Sequence, residues 1–404
     1  MQATLNQTPR ANRTHIGFFG KMNSGKSSLI NALANQEISI VSDVSGTTTD
    51  PVKKSMEIHG IGPCVLVDTA GFDDIGALGE KRVELTQKAA NGTDIAVILF
   101  TDTDMEKELS WYQFFLENDT PVLAVINKID ALADIDKLEQ MIKQKIDAPI
   151  LRVSALKKEG IDALKQALVT ALPDAKEKRF ITGNLVSEGD TVLLVMPQDI
   201  QAPEGRLILP QVQTLRELLD KKCLVMSATT DQLEHALAAM SKPPKLIITD
   251  SQVYKTVYDK KPKESMLTSF STLFAAYKGD IAYYVEGAKV IDTLDENAKI
   301  LIAECCTHAP LKEDIGREKL PRLLRKKLGE NLTIDIVGGA DFPTDLSGYD
   351  LIIQCGACMF HRKYVMSRVN EAKKQKVPMS NYGIVIAYLN QILDKITIPE
   401  EENE

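Results

Sequence analysis

The segment from Gly20 to Ser27 (GKMNSGKS) constrains the fold most, because it lies between an apolar strand pattern (HIGFFG) and a helix pattern (SSLINALA). Gly20 and Gly25 let backbone N–H groups close around phosphate oxygens, and the start of the following helix adds partial positive charge. In this arrangement Lys26 reaches the β and γ phosphates, and the Ser27 hydroxyl ligates magnesium. The motif predicts a phosphate-binding loop, with further nucleotide contacts at Asn23, Ser24 and Ser28.

Two downstream segments match the parts of a nucleoside-triphosphate site that respond to the γ phosphate. The segment GTTTD at 46–50 supplies a hydroxyl, assigned to Thr48, that can close over the γ phosphate and magnesium. The segment DTAG at 68–71 ends the strand pattern CVLVD. Asp68 would hold magnesium through water, and the Gly71 N–H can sense the γ phosphate. The sequence therefore predicts a nucleotide switch whose catalytic set is Lys26, Thr48, Asp68 and Gly71.

A third segment selects the base. NKID at 127–130 follows the apolar strand pattern PVLAVI. The Asp130 carboxylate can accept hydrogen bonds from guanine N1–H and the 2-amino group, which adenine does not offer. Asn127 and Lys128 belong to the same segment, and Ser154 and Ala155 after a later strand complete the base pocket. These residues predict GTP and GDP, together with Mg²⁺, as the ligands of this part of the chain.

Alternating short apolar runs and helix patterns predict an α/β protein of three domains. Residues 1–173 are expected to form a P-loop GTPase fold with a mostly parallel sheet, and the charged stretch DAKEKR at 174–179 is interpreted as a linker. Two smaller α/β domains follow at 180–264 and 265–404. In the first of these, TVLLVMP, KCLVMSA and KLIITD are predicted as buried strands.

Composition narrows the class of protein further. The net charge of -8 over 404 residues disfavours a general nucleic-acid coat. No apolar run approaches the roughly 18 residues that span a bilayer, and the stretch from Met1 to His15 is polar, so we expect a cytoplasmic protein without membrane contact. Six cysteines are too few for a disulfide framework, so a cluster of them would point to metal or redox chemistry.

Three of the cysteines lie in two segments that directly follow apolar strands. These segments are Cys306-Thr307-His308, after KILIAE, and Cys355-Gly356-Ala357-Cys358, after DLIIQ. Two parallel strands would bring both segments to the carboxyl edge of one sheet. Three thiolates suit an iron–sulfur cluster with one exchangeable position, His308 would complete a Cys3His zinc site, and a redox role or no metal remains open.

The other cysteines are expected outside the site. Cys64 and Cys223 are predicted as buried residues of strands, and Cys305, next to Cys306, is expected to point the other way along its strand.

A stretch of roughly 160 residues that carries the nucleotide motifs quoted above resembles the Era and TrmE-like branch of the translation-factor GTPases. Phe72 follows Gly71, where Ras-like proteins carry a water-orienting Gln, which suggests slow hydrolysis. Asn23 matches the P-loop Asn of potassium-activated relatives, which implies stimulation by K⁺.

With its C-x-H and C-x-x-C segments, nearly the whole chain resembles the HydF family of FeFe-hydrogenase maturation GTPases. The resemblance implies a 4Fe–4S cluster on Cys306, Cys355 and Cys358, with His308 as a possible further ligand. It also implies a homodimer formed through 180–264, cluster binding by 265–404, and a scaffold or carrier role. The cargo would be the di-iron subcluster, built by radical-SAM maturases and delivered to the apo-hydrogenase.

One departure and one rival remain at this point. Gln354 stands where that family often has His, so His308, His361, a carboxylate, water or the incoming precursor could be the fourth iron ligand. The region 306–376 carries thirteen Lys and Arg against nine Asp and Glu. This basic excess keeps open a ribosome- or tRNA-associated GTPase with a zinc-binding, RNA-contacting C-terminal domain, although the acidic chain as a whole makes nucleic acid an unfavoured partner.

Overall fold

The structure is a computed structural model that describes residues 13–34, 52–71, 85–172, 179–197, 207–305, 315–339, 341–358 and 360–399. Within it the chain divides into two compact units, Met1–Lys178 and Arg179–Glu404. In the described part of the chain, no helix is both long enough and apolar enough to cross a membrane.

A six-stranded sheet with the order β2-β3-β1-β4-β5-β6 forms the centre of the first unit. Its strands are β1 (Thr14–Phe19), β2 (Val52–Ile58), β3 (Gly62–Asp68), β4 (Ile95–Phe100), β5 (Val122–Ile126) and β6 (Ile150–Arg152). Neighbouring strands run parallel, except that β2 pairs antiparallel with β3 at the edge. The central strands are almost continuously apolar because both faces of the sheet are covered.

Helices cover each face of this sheet. They are α1 (Lys26–Ala34), α2 (Glu106–Glu117), α3 (Ile135–Lys143) and α4 (Ile161–Ala171). Leu29 of α1 and Leu164 of α4 belong to the core on one face, and Phe115 of α2 and Ile142 of α3 belong to the core on the other. The predicted P-loop fold with a mostly parallel sheet is confirmed.

The second unit begins with a four-stranded parallel sheet of order β10-β9-β7-β8. Its strands are β7 (Thr191–Val195), β8 (Leu224–Ala228), β9 (Leu246–Thr249) and β10 (Met266–Ser269), and its helices are α5 (Leu209–Asp220), α6 (Leu233–Ala238), α7 (Tyr254–Lys260) and α8 (Phe270–Lys278). The buried strands expected at β7 and β9 are confirmed, whereas β8 is an edge strand whose Leu224 is 63% exposed.

The sequence did not indicate β10, because this strand has only four residues and ends in Thr268 and Ser269 instead of an apolar run. It pairs with β9, so the sheet β10-β9-β7-β8, here called the middle sheet, continues past the boundary expected between residues 264 and 265.

A second four-stranded parallel sheet follows, with the order β12-β11-β13-β14. Its strands are β11 (Lys299–Ala303), β12 (Thr333–Val337), β13 (Leu351–Gln354) and β14 (Met379–Asn381), and its helices are α9 (Ile281–Lys289), α10 (Leu320–Leu328), α11 (Arg362–Lys374) and α12 (Tyr382–Leu389). Helix α9 packs so closely on β14 that a Cβ at Gly287 would lie 2.1 Å from the Met379 carbonyl oxygen. The alternation of these parallel strands and helices confirms the α/β character predicted for this part of the chain.

The register of the sheet β12-β11-β13-β14 brings two chain segments together. Ala303, at the end of β11, lies opposite Gln354, at the end of β13. The chain leaving β11 at Glu304 and Cys305 therefore emerges beside the chain leaving β13 at Cys355. Buried residues of both sheets, including Leu193, Ile247 and Ile302, belong to one apolar core.

Candidate nucleotide site and cysteine-lined site

The phosphate-binding loop connects β1 to α1, as predicted. Lys26 is buried, and its ammonium group donates to the carbonyl oxygens of Gly20 at 3.0 Å and Lys21 at 2.8 Å. Gly25 has a φ of +91°, and a Cβ there would lie 2.3 Å from Asn127 Nδ2. A side chain at this position would therefore collide with the base-binding segment, which explains the requirement for glycine.

Asn127 joins three segments that the sequence assigned to the nucleotide. Its Nδ2 donates to the Ser24 carbonyl oxygen at 2.8 Å, and its Oδ1 accepts from the Ala155 N–H at 3.3 Å. The phosphate-binding loop, the NKID segment and the loop after β6 therefore meet at one buried side chain.

Asp130 is exposed at the mouth of this arrangement, and its Oδ1 accepts from Ser154 Oγ at 2.5 Å. This hydrogen bond lowers the pKa of the Asp130 carboxyl below its ordinary value, which keeps the group ionised. An exposed, ionised carboxylate can accept from the two guanine donors. Lys128, also exposed, holds a positive φ of 61° between Asn127 and Asp130.

The predicted magnesium ligands that the structure describes face each other. Ser27 Oγ donates to Asp68 Oδ2 at 2.5 Å, and Asp68 is the last residue of β3. Burial raises the pKa of Asp68, while the hydrogen bond from Ser27 and the charge of Lys26 act against that rise. A divalent cation would favour the ionised carboxylate at this place.

The remaining predicted nucleotide contacts lie in or beside the same loops. Asn23, which has a φ of +60°, and Ser28 are exposed, and Gly71 lies three residues after Asp68. Thr48 and Phe72 lie outside the described residues.

Cys355 and Cys358 lie in the loop that follows β13, here called the cysteine loop (residues 355–358 and 360). Asn381 Nδ2 donates to the Cys355 carbonyl oxygen at 3.2 Å, and the Phe360 N–H donates to the Ala357 carbonyl oxygen at 3.1 Å. Ala357 itself has a positive φ of 48°. The loop is therefore a tightly hydrogen-bonded turn between β13 and α11. Cys306 and His308 lie outside the described residues.

Cys305, which was expected outside the site, lies beside Cys355. Its backbone N–H donates to Cys355 Sγ at 3.1 Å, and its buried side chain packs with Ala357 and Val365. We expected Cys305 to point away from Cys306 because side chains alternate along a strand, but β11 ends at Ala303 and Cys305 lies beyond it. A side-chain hydrogen bond from Cys305 lowers the pKa of the Cys355 thiol, although burial acts in the opposite direction. The thiolate is the form of a cysteine that binds metals, and the hydrogen bonds from Cys305 stabilise that form of Cys355.

Two buried cations contact the cysteines, and neither was found from sequence. Lys278 is 2% exposed, and its Nζ donates to the carbonyl oxygens of Ala357 at 2.9 Å, Cys358 at 3.3 Å and Phe360 at 2.8 Å. Arg368 is 3% exposed, and its Nη1 lies 3.5 Å from Cys305 Sγ. Burial lowers the pKa of Lys278 to about 8, while the nearby cysteines act to raise it.

A narrow gap beside the cysteine loop, too small to hold a water molecule, is bordered by Lys278, Tyr284, Gln354, Cys355 and Asn381, among others. Gln354 Oε1 and the Tyr284 hydroxyl are buried there without a hydrogen-bond partner among the described residues. Soft sulfur donors, buried positive charge and these polar atoms fit a thiolate-bound metal group. Cys64 and Cys223 are buried, as expected, and Cys223 Sγ instead donates to the Ser187 carbonyl oxygen.

The parallel sheet with its phosphate-binding loop and base-binding segment defines the first unit as a P-loop GTPase, an enzyme that hydrolyses GTP and uses GTP, GDP and Mg²⁺. Residues 15–128 match the family model of the 50S ribosome-binding GTPase. Residues 181–279 match the hydrogen maturase F dimerization domain, and residues 282–399 match the hydrogen maturase F tetramerization domain. Together the last two models span more than half of the chain. The chain belongs to the hydrogen maturase F family, the GTPases of hydrogenase maturation, and carries that family's oligomerization domains.

Individual relatives resemble a smaller part of the chain. GTPase Der of Wolinella succinogenes is 37% identical over 168 residues, which is 38% of this chain and 35% of that protein. The tRNA modification GTPase MnmE of Nitrosomonas europaea is 38% identical over 153 residues, 37% of this chain and 33% of that protein. The chain therefore spans about a third of the length of these curated relatives.

Solved structures of GTPases also match part of the chain. Era of Aquifex aeolicus, bound to GDP and AlF4⁻, is 20% identical with a TM-score of 0.34, covering 53% of this chain and 92% of that one. The FeoB G-domain of Methanococcus jannaschii is 25% identical with a TM-score of 0.30, covering 40% of this chain and 99% of that one. Nothing in these comparisons favours the ribosome- or tRNA-associated alternative for the second unit.

Proposed function

We propose that this protein is a nucleotide-regulated scaffold that holds a 4Fe–4S cluster on Cys306, Cys355 and Cys358. On this proposal it assembles the di-iron subcluster of FeFe-hydrogenase and delivers it to the apo-hydrogenase, after radical-SAM maturases have supplied the precursor. It acts as a homodimer, and the reducing cytoplasm is the compartment in which its cysteines stay available for metal.

The observation that carries this proposal is the environment of Cys355. Its sulfur accepts the Cys305 N–H at 3.1 Å, and Cys358 follows in the same loop at the carboxyl edge of the sheet. Hydrogen bonds to a thiolate sulfur stabilise its negative charge and are typical around metal-bound cysteines. Cys306 directly follows Cys305 in the chain, so a third thiol lies within one residue of this contact.

The fourth iron position is proposed to be exchangeable. Gln354 is buried next to Cys355, but its neutral amide oxygen is a poor ligand for iron. His308, His361, a carboxylate, water or the precursor itself could occupy the position. An exchangeable ligand suits a carrier, because the site must bind its cargo and later release it.

GTP is proposed to act as a switch and not to perform chemistry on iron. The site residues assigned above would order the segments 46–50 and 68–71 when GTP and Mg²⁺ bind. A change in affinity for the hydrogenase must then come from different contacts in the two nucleotide states. We assign 1–173 to GTP binding, 180–264 together with β10 and α8 to dimerisation, and the rest of 265–404 to cluster binding.

Transfer to an apo-hydrogenase tests the proposal. The full-length protein, loaded in the presence of the maturases, is mixed with apo-hydrogenase, and hydrogen evolution is measured. Wild type should activate the hydrogenase, and Cys355→Ser should not. Cys223→Ser is the matched control, because Cys223 is buried directly before β8, away from the cysteine loop, and its replacement should leave activation intact. Activation by Cys355→Ser at the wild-type level would contradict the proposal.

A further inference from the structure

Lys278, the last residue of α8, places a buried ammonium group against the cysteine loop. Its Nζ donates to three carbonyl oxygens of that loop, and the ionisable groups that act on its charge are the thiols of Cys358, Cys305 and Cys355. No Asp or Glu of the described ranges forms an ion pair with it. Carbonyl groups solvate an ammonium ion but do not neutralise it, so a buried charge of this kind is strongly unfavourable without an anion nearby.

Arg368 of α11 is a second buried cation at the same group of cysteines. Its Nη1 lies 3.5 Å from Cys305 Sγ, and its Nη2 donates to the Gly339 carbonyl oxygen at 2.6 Å. The guanidinium also lies 4.8 Å from the Phe342 ring centroid and 5.0 Å from that of Tyr364. Within the part of the chain that the structure describes, it too has no carboxylate partner.

We propose that Lys278 and Arg368 are positioning residues that supply the counter-charge of a thiolate-bound iron–sulfur cluster and thereby stabilise its reduced form. This inference rests on the proposed function. Three thiolates around a doubly positive 4Fe–4S core leave a net charge of about -1, which becomes about -2 after one-electron reduction. Two fixed positive charges therefore balance the reduced state best, and they raise the reduction potential of the cluster.

The position of Lys278 in the chain gives this residue a second role. Lys278 lies within the segment matched to the dimerization domain, whereas the cysteine loop lies within the segment matched to the tetramerization domain. The lysine therefore ties the loop that holds two cluster ligands to a helix of the preceding domain.

Substitutions at Lys278 separate charge from hydrogen bonding. Lys278→Gln keeps a donor for the loop carbonyls but removes the charge, whereas Lys278→Arg keeps both. The readouts are the reduction potential of the reconstituted full-length protein, followed by electron paramagnetic resonance, and the rate of iron loss to a chelator. Lys278→Gln should show a more negative potential and lose iron about tenfold faster. Lys278→Arg should restore most of both properties.

Arg368→Gln and Arg368→Lys repeat the comparison, so one variant that fails to fold leaves the other cation to decide. Lys289→Gln is the matched control, because Lys289 is exposed and paired with Glu286. The reduction potential of the cluster in this variant should equal that of the wild-type protein. Potentials that are unchanged in both Gln variants, with the cluster present, would overturn this inference alone. Wild-type protein that takes up no iron would overturn the proposed function and this inference with it.

Discussion

Asn127 donates a hydrogen bond from Nδ2 to the carbonyl oxygen of Ser24 across 2.8 Å. This contact couples the base-binding segment to the phosphate-binding loop, although 103 positions separate the two residues in the chain. The same side chain accepts from Ala155, so the base pocket and the phosphate cradle form one connected structure. Residues that bind phosphate and residues that bind guanine should therefore affect nucleotide affinity together.

Lys26→Ala should abolish GTP turnover, because it removes the cation that neutralises the β and γ phosphates and leaves the loop carbonyls of Gly20 and Lys21 without their donor. A loss of at least about a hundredfold in turnover is expected. Iron content should stay at the wild-type level, since Lys26 belongs to the other compact unit. Phosphate release and iron assays on the same preparation check both statements, with the exposed Lys137→Ala as control. Turnover near wild type would disprove the assignment of Lys26.

Asp130→Asn should change nucleotide preference from GTP to xanthosine triphosphate. The carboxylate accepts from two donors of guanine, whereas an amide can donate to the carbonyl that xanthine carries in place of the 2-amino group. GTP affinity should fall by about a hundredfold or more. Competition binding with both nucleotides measures the change, and an Asp130→Asn variant that still prefers GTP would show that the base is recognised elsewhere.

Potassium should accelerate GTP hydrolysis relative to sodium at equal ionic strength. Asn23 is the predicted potassium contact, and its φ of +60° allows replacement by glycine without backbone strain. Asn23→Gly should therefore remove the difference between the two salts while keeping the loop intact. Initial rates in matched chloride buffers provide the measurement. Equal rates for the wild-type protein in sodium and potassium would remove the idea.

Leu224→Arg should dissociate the oligomer. Leu224 begins the edge strand β8 and is exposed, as are Leu219 and Val212 of α5, and all three lie in the segment matched to the dimerization domain. An apolar edge of this kind is typical of a surface covered by another chain. Light scattering should detect a shift to smaller species, whereas Leu116→Arg on the first unit should not cause one. Unchanged mass for Leu224→Arg would place the interface elsewhere.

The sequence predicted those parts of the protein in which a motif with chemically functional residues directly follows an apolar strand pattern. The phosphate-binding loop follows β1 and the cysteine loop follows β13. Both positions could be predicted because the apolar runs of these two strands are evident in the sequence. In contrast, β10 and β14 were missed, since four- and three-residue strands carry too little pattern.

The contacts of Cys305, Lys278 and Arg368 could not be predicted for a different reason. They depend on the strand register that sets Ala303 opposite Gln354 and on the packing of α8 and α11 against the loop. A lysine that ends an apolar helix has the same local sequence whether its ammonium reaches solvent or, as here, three carbonyl oxygens. Only tertiary structure distinguishes these cases.

The iron, sulfide and zinc content of anaerobically purified and reconstituted protein tests the central claim most directly. The account predicts about four irons and four sulfides per chain with little zinc. It also predicts loss of most iron in Cys306→Ala and in Cys355→Ser, and retention in Cys223→Ser. Colourless wild-type protein that takes up no iron, or stoichiometric zinc in its place, would contradict the cluster assignment and leave the GTPase alone established.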